Sequence, residues 1–317
     1  MAKLQLSQVE TYVVTGPTSG IGLCTALALS PHGPVVLVGR DKRKLNGVQK
    51  QIESAGGTAM AVVCDFADPE SIRRATAEIV AFGLTIVGVI NNVGIMPTRA
   101  SKNALGWDMT FATNYLGPFV FTEALVPHLP DCAHVLFVVS AIEDPERKPA
   151  KIIGMRGGRF ISVRASARGE WKAGGSRMAG VDAYATSKQC SLAAALALAR
   201  EQPRLRVDAV EPGINPTTGL GGVNAFVRFL VAQVMTRLPP FSRYRSTPER
   251  AAQVITKIVT NKLGGTGVYY DEKGQAMMGS ALVHDRAFQE RVVAETRAFL
   301  GRAIGNGASA HLKENSI

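Results

Sequence analysis

Residues 11–22 read TYVVTGPTSGIG, a short apolar run that ends in three closely spaced glycines. The apolar run predicts a buried strand, and LCTALALS (23–30) after the glycines predicts a helix. A glycine-rich turn between a strand and a helix lets the backbone approach a pyrophosphate, whose charge the helix N-terminus stabilises. The spacing Gly16-x-x-x-Gly20-x-Gly22 differs from the G-x-G-x-x-G of many dinucleotide-binding proteins. The segment predicts a βα unit with a candidate phosphate site, and a glycine turn without a ligand is the alternative.

The same alternation of apolar runs and helix-period segments continues along the chain, which is typical of βαβ units on a parallel sheet. The predicted fold is α/β: a single doubly wound, Rossmann-like parallel sheet with helices on both faces, within one domain over 1–304. Strands are predicted at 11–15, 35–39, 59–65, 85–92, 134–140, 205–210 and 267–270, and helices at 23–30, 41–55, 68–82, 107–128, 182–200, 247–261 and 285–302.

Two segments interrupt this regular pattern. Residues 141–181 contain nine glycines or prolines and predict a long insertion after strand five, with a strand considered at RFISV (159–163). Loops of that length are usually functional or mobile. Residues 217–245 follow strand six and include the amphipathic stretch 223–238, for which a helix lying on a membrane surface is one interpretation. The tail 305–317 predicts a flexible end.

Composition excludes several classes of protein. The chain has 317 residues, of which 46% are apolar and 19% charged, so it is neither disordered nor a disulfide-stapled miniature. Its four cysteines and five histidines are scattered without a C-x-x-C pair, which argues against a metal site and for a reducing compartment. The chain runs from its first residues into a strand, without a signal peptide, and has no apolar run long enough to span a membrane. These features predict a cytoplasmic protein.

The net charge of +11 raises the possibility of nucleic-acid binding. Only 6% of residues are aromatic, and no basic and aromatic residues alternate as in a base-stacking surface, so we predict no nucleic-acid partner. The excess charge is concentrated: residues 141–180 hold nine Lys or Arg against four Asp or Glu, and residues 219–250 hold five against one. Both segments follow strand ends, so an anionic group on the substrate is one expectation, and solvated loop charges are the other.

A tyrosine and a lysine stand four residues apart at the start of the helix predicted over 182–200, as Tyr184-x-x-x-Lys188. Residues at this spacing share one face of a helix. A phenol ordinarily titrates near pH 10, and a neighbouring ammonium lowers that pKa toward the range useful for acid–base catalysis. A chance pair on an exposed helix is the alternative.

Other polar residues lie at or just after the carboxyl ends of predicted strands, where open α/β sheets bind ligands. Taken together with the glycine turn and the Tyr-Lys pair, they resemble the short-chain dehydrogenase/reductase family. TGPTSGIG (15–22) is similar to the family's TGxxxGxG, NNVG (91–94) to its NNAG, and YATSK (184–188) to its YxxxK. The resemblance covers nearly the whole chain to about residue 300, and it implies that residues 217–245, with the amphipathic stretch 223–238, form a substrate lid.

The resemblance implies a role for each of four catalytic residues. Tyr184 would be the general acid/base, and Lys188 would lower its pKa and hold the nicotinamide ribose. Ser140 would hydrogen-bond the substrate oxygen, and Asn114 would position a water in the proton relay. Ser166, in GGRFISVRAS (157–166), is a rival to Ser140, because that segment imitates the family's usual strand-five sequence.

The same resemblance implies the cofactor contacts. Asp65 would meet the adenine, Asn91 the adenosine side and Thr217 the carboxamide. The residue after strand two is Arg40, not an acid, and with Lys44 it favours the phosphate of NADP over NAD. The cofactor-binding residues so implied are Thr15, Gly16, Thr18, Ser19, Gly20, Ile21, Gly22, Arg40, Lys44, Asp65, Phe66, Asn91, Asn92, Val93, Gly94, Tyr184, Lys188, Pro212, Gly213 and Thr217.

Within the family, the long insertion points to the retinol-dehydrogenase-like and light-dependent protochlorophyllide-reductase-like branch. SKQC (187–190), PGINPTTGL (212–220) and LPPFSRY (238–244) resemble motifs of the latter, whereas the basic insertion departs from it. Cys190 is either a helix-packing residue or a neighbour of the active site. The alanine-rich helix could pack on its own sheet or on a partner subunit.

The resemblance implies an NADPH-dependent oxidoreductase acting on a carbonyl or alcohol of a fairly large, partly apolar small molecule. The alternatives are reduction of a carbon–carbon double bond and, third, a non-catalytic NADPH-binding regulator. The third would need the glycine loop but no proton relay.

Overall fold

The computed structural model describes residues 9–97, 99–152, 154–176, 180–215 and 241–314. Its strands form one parallel sheet of seven, in the order β3-β2-β1-β4-β5-β6-β7. The strand order reverses between β1 and β4, which is where ligands bind in open α/β sheets. The strands are β1 (Glu10–Thr15), β2 (Val35–Gly39), β3 (Ala59–Val63), β4 (Thr85–Asn91), β5 (His134–Val138), β6 (Arg206–Val210) and β7 (Tyr269–Tyr270).

Helices cover both faces of this sheet. The π-helical turn Ala112–Leu116, the short helices of the insertion and the short helix Ala281–His284 were not predicted; the other helices start within three residues of the predicted positions. The helices are α1 (Gly20–Leu29), α2 (Lys42–Ser54), α3 (Pro69–Ala81), α4 (Met109–Phe111, the π-helical turn Ala112–Leu116 and Gly117–Leu125), α5 (Lys148–Ile152), α6 (Val163–Arg168), α7 (Val181–Glu201), α8 (Pro248–Thr260), α9 (Ala281–His284) and α10 (Arg286–Glu314).

Side chains alternate between the two faces of the sheet along each strand, so the buried residues form two core layers, one on each face. In β1, Tyr12 and Val14 pack with α1, α2 and α8, whereas Val13 packs with α3, α4, α7 and α10. Successive side chains of a strand point to opposite faces, so a strand buried on both sides is apolar throughout, as β2 is. The prediction of a single doubly wound sheet is confirmed.

The alanine-rich helix α7 is covered within the chain. One side packs on β5 and β6, and α10 packs along the other. Thr296 of α10 hydrogen-bonds the hydroxyl of Tyr115 at 2.6 Å, and Arg297 forms ion pairs with Glu123 at 3.0 Å and Glu201 at 2.6 Å. The chain's own sheet and last helix therefore bury the surface of α7.

The insertion differs from its prediction in one respect. Residues 159–162 are not a strand; Ser162 instead caps α6, with its side chain accepting a hydrogen bond from the Ala165 amide. The amide of Val163 donates to Glu295 of α10 at 2.8 Å, a partner far away in the sequence. The strand considered at 159–163 is therefore wrong, since a tertiary contact fixes a helix start there.

The structure describes the predicted tail and the predicted lid only in part. Helix α10 continues through the segment where the sequence predicted a flexible tail from residue 305. Of the predicted lid, the structure describes only its end, where Phe241–Tyr244 form one turn of 3-10 helix. The domain limits 1–304, the lid 217–245 and the flexible tail stay predictions. The amphipathic stretch 223–238 lies outside the described residues.

Candidate active site

A cleft of ≈ 1250 Å³ opens at the carboxyl edge of the sheet. The glycine turn after β1 and the cationic start of α2 lie on one side, and the start of α7 lies on the other. Fifteen of the residues predicted for the site line this cleft: Gly16, Thr18, Ser19, Gly20, Ile21, Gly22, Arg40, Lys44, Phe66, Asn92, Val93, Gly94, Tyr184, Lys188 and Pro212.

The glycine turn is held in a conformation that only glycine fits. Gly16 has φ +67°, a backbone conformation that side chains with a Cβ rarely adopt. A Cβ on Gly22 would lie 2.2 Å from the Gly16 carbonyl oxygen and 2.4 Å from Asn92 Nδ2. That amide nitrogen donates to the Thr15 carbonyl at 2.9 Å and so fixes the turn from the β4 side. The turn is a preformed backbone surface at the N-terminus of α1, suited to a pyrophosphate.

Residues 40–44 form a cationic rim of the cleft. Arg40 is exposed, and among the described residues it has neither an ion pair nor a side-chain hydrogen bond. Asp41 is occupied by its own helix: it accepts a hydrogen bond from the Lys44 amide at 3.1 Å, and its carboxylate lies 3.9 Å from Lys44 Nζ. The available charge at this end of the cleft is therefore positive.

Tyr184 and Lys188 line the opposite end of the cleft, and Ser140, which does not line it, interacts with Tyr184. Lys188 Nζ lies 5.6 Å from the centre of the Tyr184 ring and donates to the Val138 carbonyl at 2.8 Å. A hydrogen-bonding interaction with the Ser140 side chain lowers the pKa of the Tyr184 phenol. Helix α7 supplies Tyr184 and Lys188, because their four-residue spacing places both on one face of the helix. The serine follows the end of β5.

The electrostatics of this group differ from the sequence prediction. Burial, with the Glu211 carboxylate adding to it, raises the pKa of Tyr184 above its ordinary value, and the interaction with Ser140 only partly offsets this. Burial lowers the pKa of Lys188 to about 8, although Glu211 favours its charged form. Desolvation therefore outweighs the effect expected from the Lys188 ammonium. With its pKa raised, the Tyr184 phenol is protonated at neutral pH, as an ordinary phenol also is.

Asn114 lies in the π-helical turn of α4, a feature often found at functional sites. Its side chain pairs with the backbone of Ile95: Oδ1 accepts from the amide and Nδ2 donates to the carbonyl, both at 2.8 Å. The Asn114 carbonyl accepts a hydrogen bond from Ser191 at 3.3 Å. Asn114 thus holds the loop after β4 against the cleft, and its part in a proton relay stays a prediction.

Several residues predicted to contact the cofactor do not line the cleft. Asn91 is buried and donates to Thr122 of α4 at 2.8 Å, because consecutive residues of a strand point to opposite faces. Asp65 accepts from the Ala67 amide at 3.0 Å and stabilises the turn after β3. Thr15 is buried and anchors the loop after β4, accepting from the Asn92 amide at 2.9 Å.

Two residues after β6 complete the set predicted for the cofactor. Gly213 has φ +78° and packs against Ser246, so it shapes the turn after β6 without lining the cleft. Thr217 lies outside the described residues.

The two candidate serines occupy different places. Ser140 interacts with Tyr184, whereas Ser166 is buried in α6, and its hydroxyl has no hydrogen-bond partner among the described residues. Cys190 is buried between α7 and the neighbouring helices, and burial raises the pKa of its thiol. The geometry supports Ser140 over Ser166 and a packing role for Cys190.

Sequence reasoning missed Glu211, a buried acid that acts on both Tyr184 and Lys188. The available signal was its position, directly after an apolar strand and before Pro212. It also missed the apolar wall of the cleft, formed by Ile95, Met96 and Val139.

Comparison with known proteins agrees with this geometry. A model of the short chain dehydrogenase family matches residues 10–147. Human retinol dehydrogenase 11 is 36% identical over 127 residues, which are 39% of this chain and 40% of that protein. Over these residues the chain is similar to the short-chain dehydrogenase/reductase family. The matched segment holds the glycine turn, Asn114 and Ser140, whereas Tyr184 and Lys188 lie beyond it.

Other proteins match over greater lengths of the chain. Polyprenol dehydrogenase of Danio rerio is 26% identical over 307 residues, covering 91% of this chain and 86% of that protein. The structure of a short-chain dehydrogenase from Burkholderia cenocepacia in complex with NADP superposes with a TM-score of 0.62 at 23% identity, covering 85% of this chain and 98% of the other. At that identity, the structural match supports the fold alone. This chain spans well under two thirds of the retinol dehydrogenase.

Proposed function

We propose that the protein is an NADP-dependent oxidoreductase that transfers hydride to or from a carbonyl or alcohol on a fairly large, partly apolar small molecule. One observation carries this proposal. A single cleft joins a glycine turn and a cationic rim at one end to Tyr184 and Lys188 at the other, where Ser140 interacts with Tyr184. A binding module would need the first end alone, whereas proton transfer to a substrate needs the second.

The residues of the cleft fit a nicotinamide dinucleotide. The turn at Gly16 and Gly22 leaves no room for side chains, so its backbone is open to a pyrophosphate, and Arg40 with Lys44 would meet a ribose phosphate. A bound nicotinamide would supply the hydride. The family uses such cofactors, and the NADP bound to the Burkholderia cenocepacia protein supports the choice of NADP.

The protein's own contribution is orientation and a proton. Tyr184 is the general acid when a carbonyl is reduced, because its phenol is protonated at neutral pH and faces the cleft close to Lys188. Ser140 would donate a hydrogen bond to the substrate oxygen and thereby hold it beside the phenol. Lys188, fixed by the Val138 carbonyl, would place a positive charge beside the oxygen that gains negative charge.

The substrate would meet an apolar wall of Ile95, Met96, Pro97 and Val139. The expectation of an anionic group on it receives less support. No cation of the insertion lines the cleft within the described residues: Lys151 pairs with Glu146 at 2.7 Å, for example. The anionic group stays a prediction, tested by comparing a carboxylate substrate with its methyl ester across ionic strength.

Reduction of a carbon–carbon double bond is the second candidate, favoured by the resemblance of 187–190 and 212–220 to protochlorophyllide reductases. Tyr184 would then protonate carbon. A non-catalytic NADPH-binding regulator is a weaker third, because it has no use for the acid–base group.

Location and partners stay predictions as well: a cytoplasmic protein without a nucleic-acid partner. Among the described residues, no helix is both long and apolar enough to cross a membrane. Peripheral contact through 223–238 is a further prediction.

Turnover of a substrate panel with NADPH, followed by its absorbance and by product structure, tests the proposal. Conversion of aldehydes or ketones to alcohols is expected. Saturation of a double bond with the carbonyl retained would favour the second candidate, and tight NADPH binding without any turnover would favour the third.

A further inference from the structure

Glu211 is a buried acid at the carboxyl end of the sheet, with 7% of its surface exposed. Its two carboxylate oxygens bind different loops. Oε2 accepts a hydrogen bond from the Ala141 amide, and Oε1 accepts one from the Gly213 amide at 3.1 Å. Ala141 follows Ser140 after β5, and Gly213 follows Pro212 after β6. One carboxylate therefore ties together the two loops that carry the catalytic serine and part of the cleft wall.

Charged and titratable groups face Glu211 from three directions. Arg147 of the insertion lowers its pKa and Glu272 after β7 raises it, with burial the largest cause of the net rise. On α7, Glu211 raises the pKa of Tyr184 and favours the charged form of Lys188. The neighbouring Tyr269 of β7 is itself fully buried, and Glu211 raises its pKa too.

Burying a carboxylate is costly unless the surroundings compensate for its lost hydration. Two backbone amides and the nearby cations Arg147 and Lys188 do so here. Both amides are donors, and a glutamine at this position offers one acceptor oxygen where the carboxylate offers two. The carboxylate therefore accepts hydrogen bonds from both amides, and its negative charge complements Arg147 and Lys188.

We propose that Glu211 is a positioning residue of the active site, whose carboxylate holds the Ser140 loop against the Pro212 loop and places a negative charge near Tyr184 and Lys188. This inference rests on the proposed function for its catalytic meaning. Glu211 does not itself touch the reacting atoms; it acts through the serine loop and through the charge beside Tyr184. In its absence the ammonium would lose its proton at a lower pH, and the cleft would lose the positive charge beside the phenol.

The test is an NMR titration of the Lys188 side chain, which needs no substrate. The signal is assigned by its loss in Lys188→Arg. In the wild type, Lys188 should titrate with a pKa of about 8. Glu211→Gln should move that titration to lower pH by on the order of one pH unit, because a negative charge that favoured the ammonium is gone. An unchanged Lys188 titration in this variant would overturn the proposal.

Glu272→Gln is the matched control. It also removes a buried acid near Glu211, but Glu272 acts on neither Tyr184 nor Lys188. Its Lys188 titration should match the wild type. An equal displacement in both variants would show a general effect of charge and would contradict a specific role for Glu211.

Glu211→Asp separates the charge from the reach of the side chain. It keeps the carboxylate but shortens it by one methylene, so the titration of Lys188 should stay close to the wild type while kcat falls and KM for NADPH changes little. A Lys188 titration displaced as far as in the glutamine variant would refute the electrostatic role, and an unchanged kcat would refute the loop contact. Lack of wild-type turnover would contradict the proposed function, whereas the titration would still test Glu211.

Discussion

Replacing Arg40 with aspartate should reverse the cofactor preference. Arg40 is exposed on the rim of the cleft and has no ion pair among the described residues, so its guanidinium is available for a phosphate. A charge-assisted hydrogen bond contributes about 1.5–3 kcal/mol, and the exposure of Arg40 places it at the lower end. Wild-type protein should therefore bind NADPH about ten-fold or more tightly than NADH.

The Arg40→Asp variant substitutes repulsion for attraction toward a phosphate and offers an acceptor to a ribose diol. Asp41 does not already serve that purpose, because its carboxylate caps α2. Dissociation constants of both cofactors, measured by calorimetry, should become equal or favour NADH. Lys50→Asp is the control: it makes the same change of charge on the exposed side of α2, away from the cleft, and should preserve the preference. Equal affinities of the wild type for NADPH and NADH would refute the reasoning about Arg40.

Three further predictions concern the turn, the serines and a buried acid. Gly22→Ala should weaken NADPH binding at least ten-fold in calorimetry, because its Cβ would lie 2.2 Å from the Gly16 carbonyl oxygen; unchanged affinity would contradict the preformed turn. Ser140→Ala should lower kcat while Ser166→Ala leaves it near the wild-type value, and the opposite pattern would reverse the assignment. Burial raises the pKa of Glu143 to about 7 from an ordinary 4.5, so ionisation opposes folding and the free energy of unfolding should fall by about 3 kcal/mol as the pH rises through that interval. Calorimetric unfolding at about pH 5 and pH 8 should show this loss in the wild type and not in Glu143→Gln, and equal slopes would exclude the effect.

Local pattern was sufficient for the sheet because each strand is a short apolar run bounded by turn residues. The run 134–140 shows this: it predicts a strand, and β5 occupies His134–Val138. The segment 157–166 shows the limit, since its apolar residues resemble a strand as much as a helix. Whether this segment forms a strand or a helix depends on Glu295, which accepts a hydrogen bond from the Val163 amide only when α10 is in place.

The sequence predicted site residues whose type determines their chemistry, but it could not predict the direction in which each side chain points. Asn91 and Asn92 are adjacent and identical, yet Asn92 fixes the glycine turn while Asn91 faces α4. The sequence placed both at the strand end but could not assign their faces. The sequence also could not predict the raised pKa of Tyr184. That rise depends on burial and on Glu211, which follows β6, whereas Tyr184 lies on α7.

Turnover by Tyr184→Phe tests the central claim most directly. The variant removes only the phenolic oxygen, so NADPH affinity should stay near the wild-type value while kcat falls at least about a hundred-fold, the usual scale for loss of a positioned general acid. Lys188→Ala should reduce both quantities, because the ammonium lies at the cleft as well as beside the ring. A Tyr184→Phe variant that reduces its substrate at the wild-type rate would contradict the account.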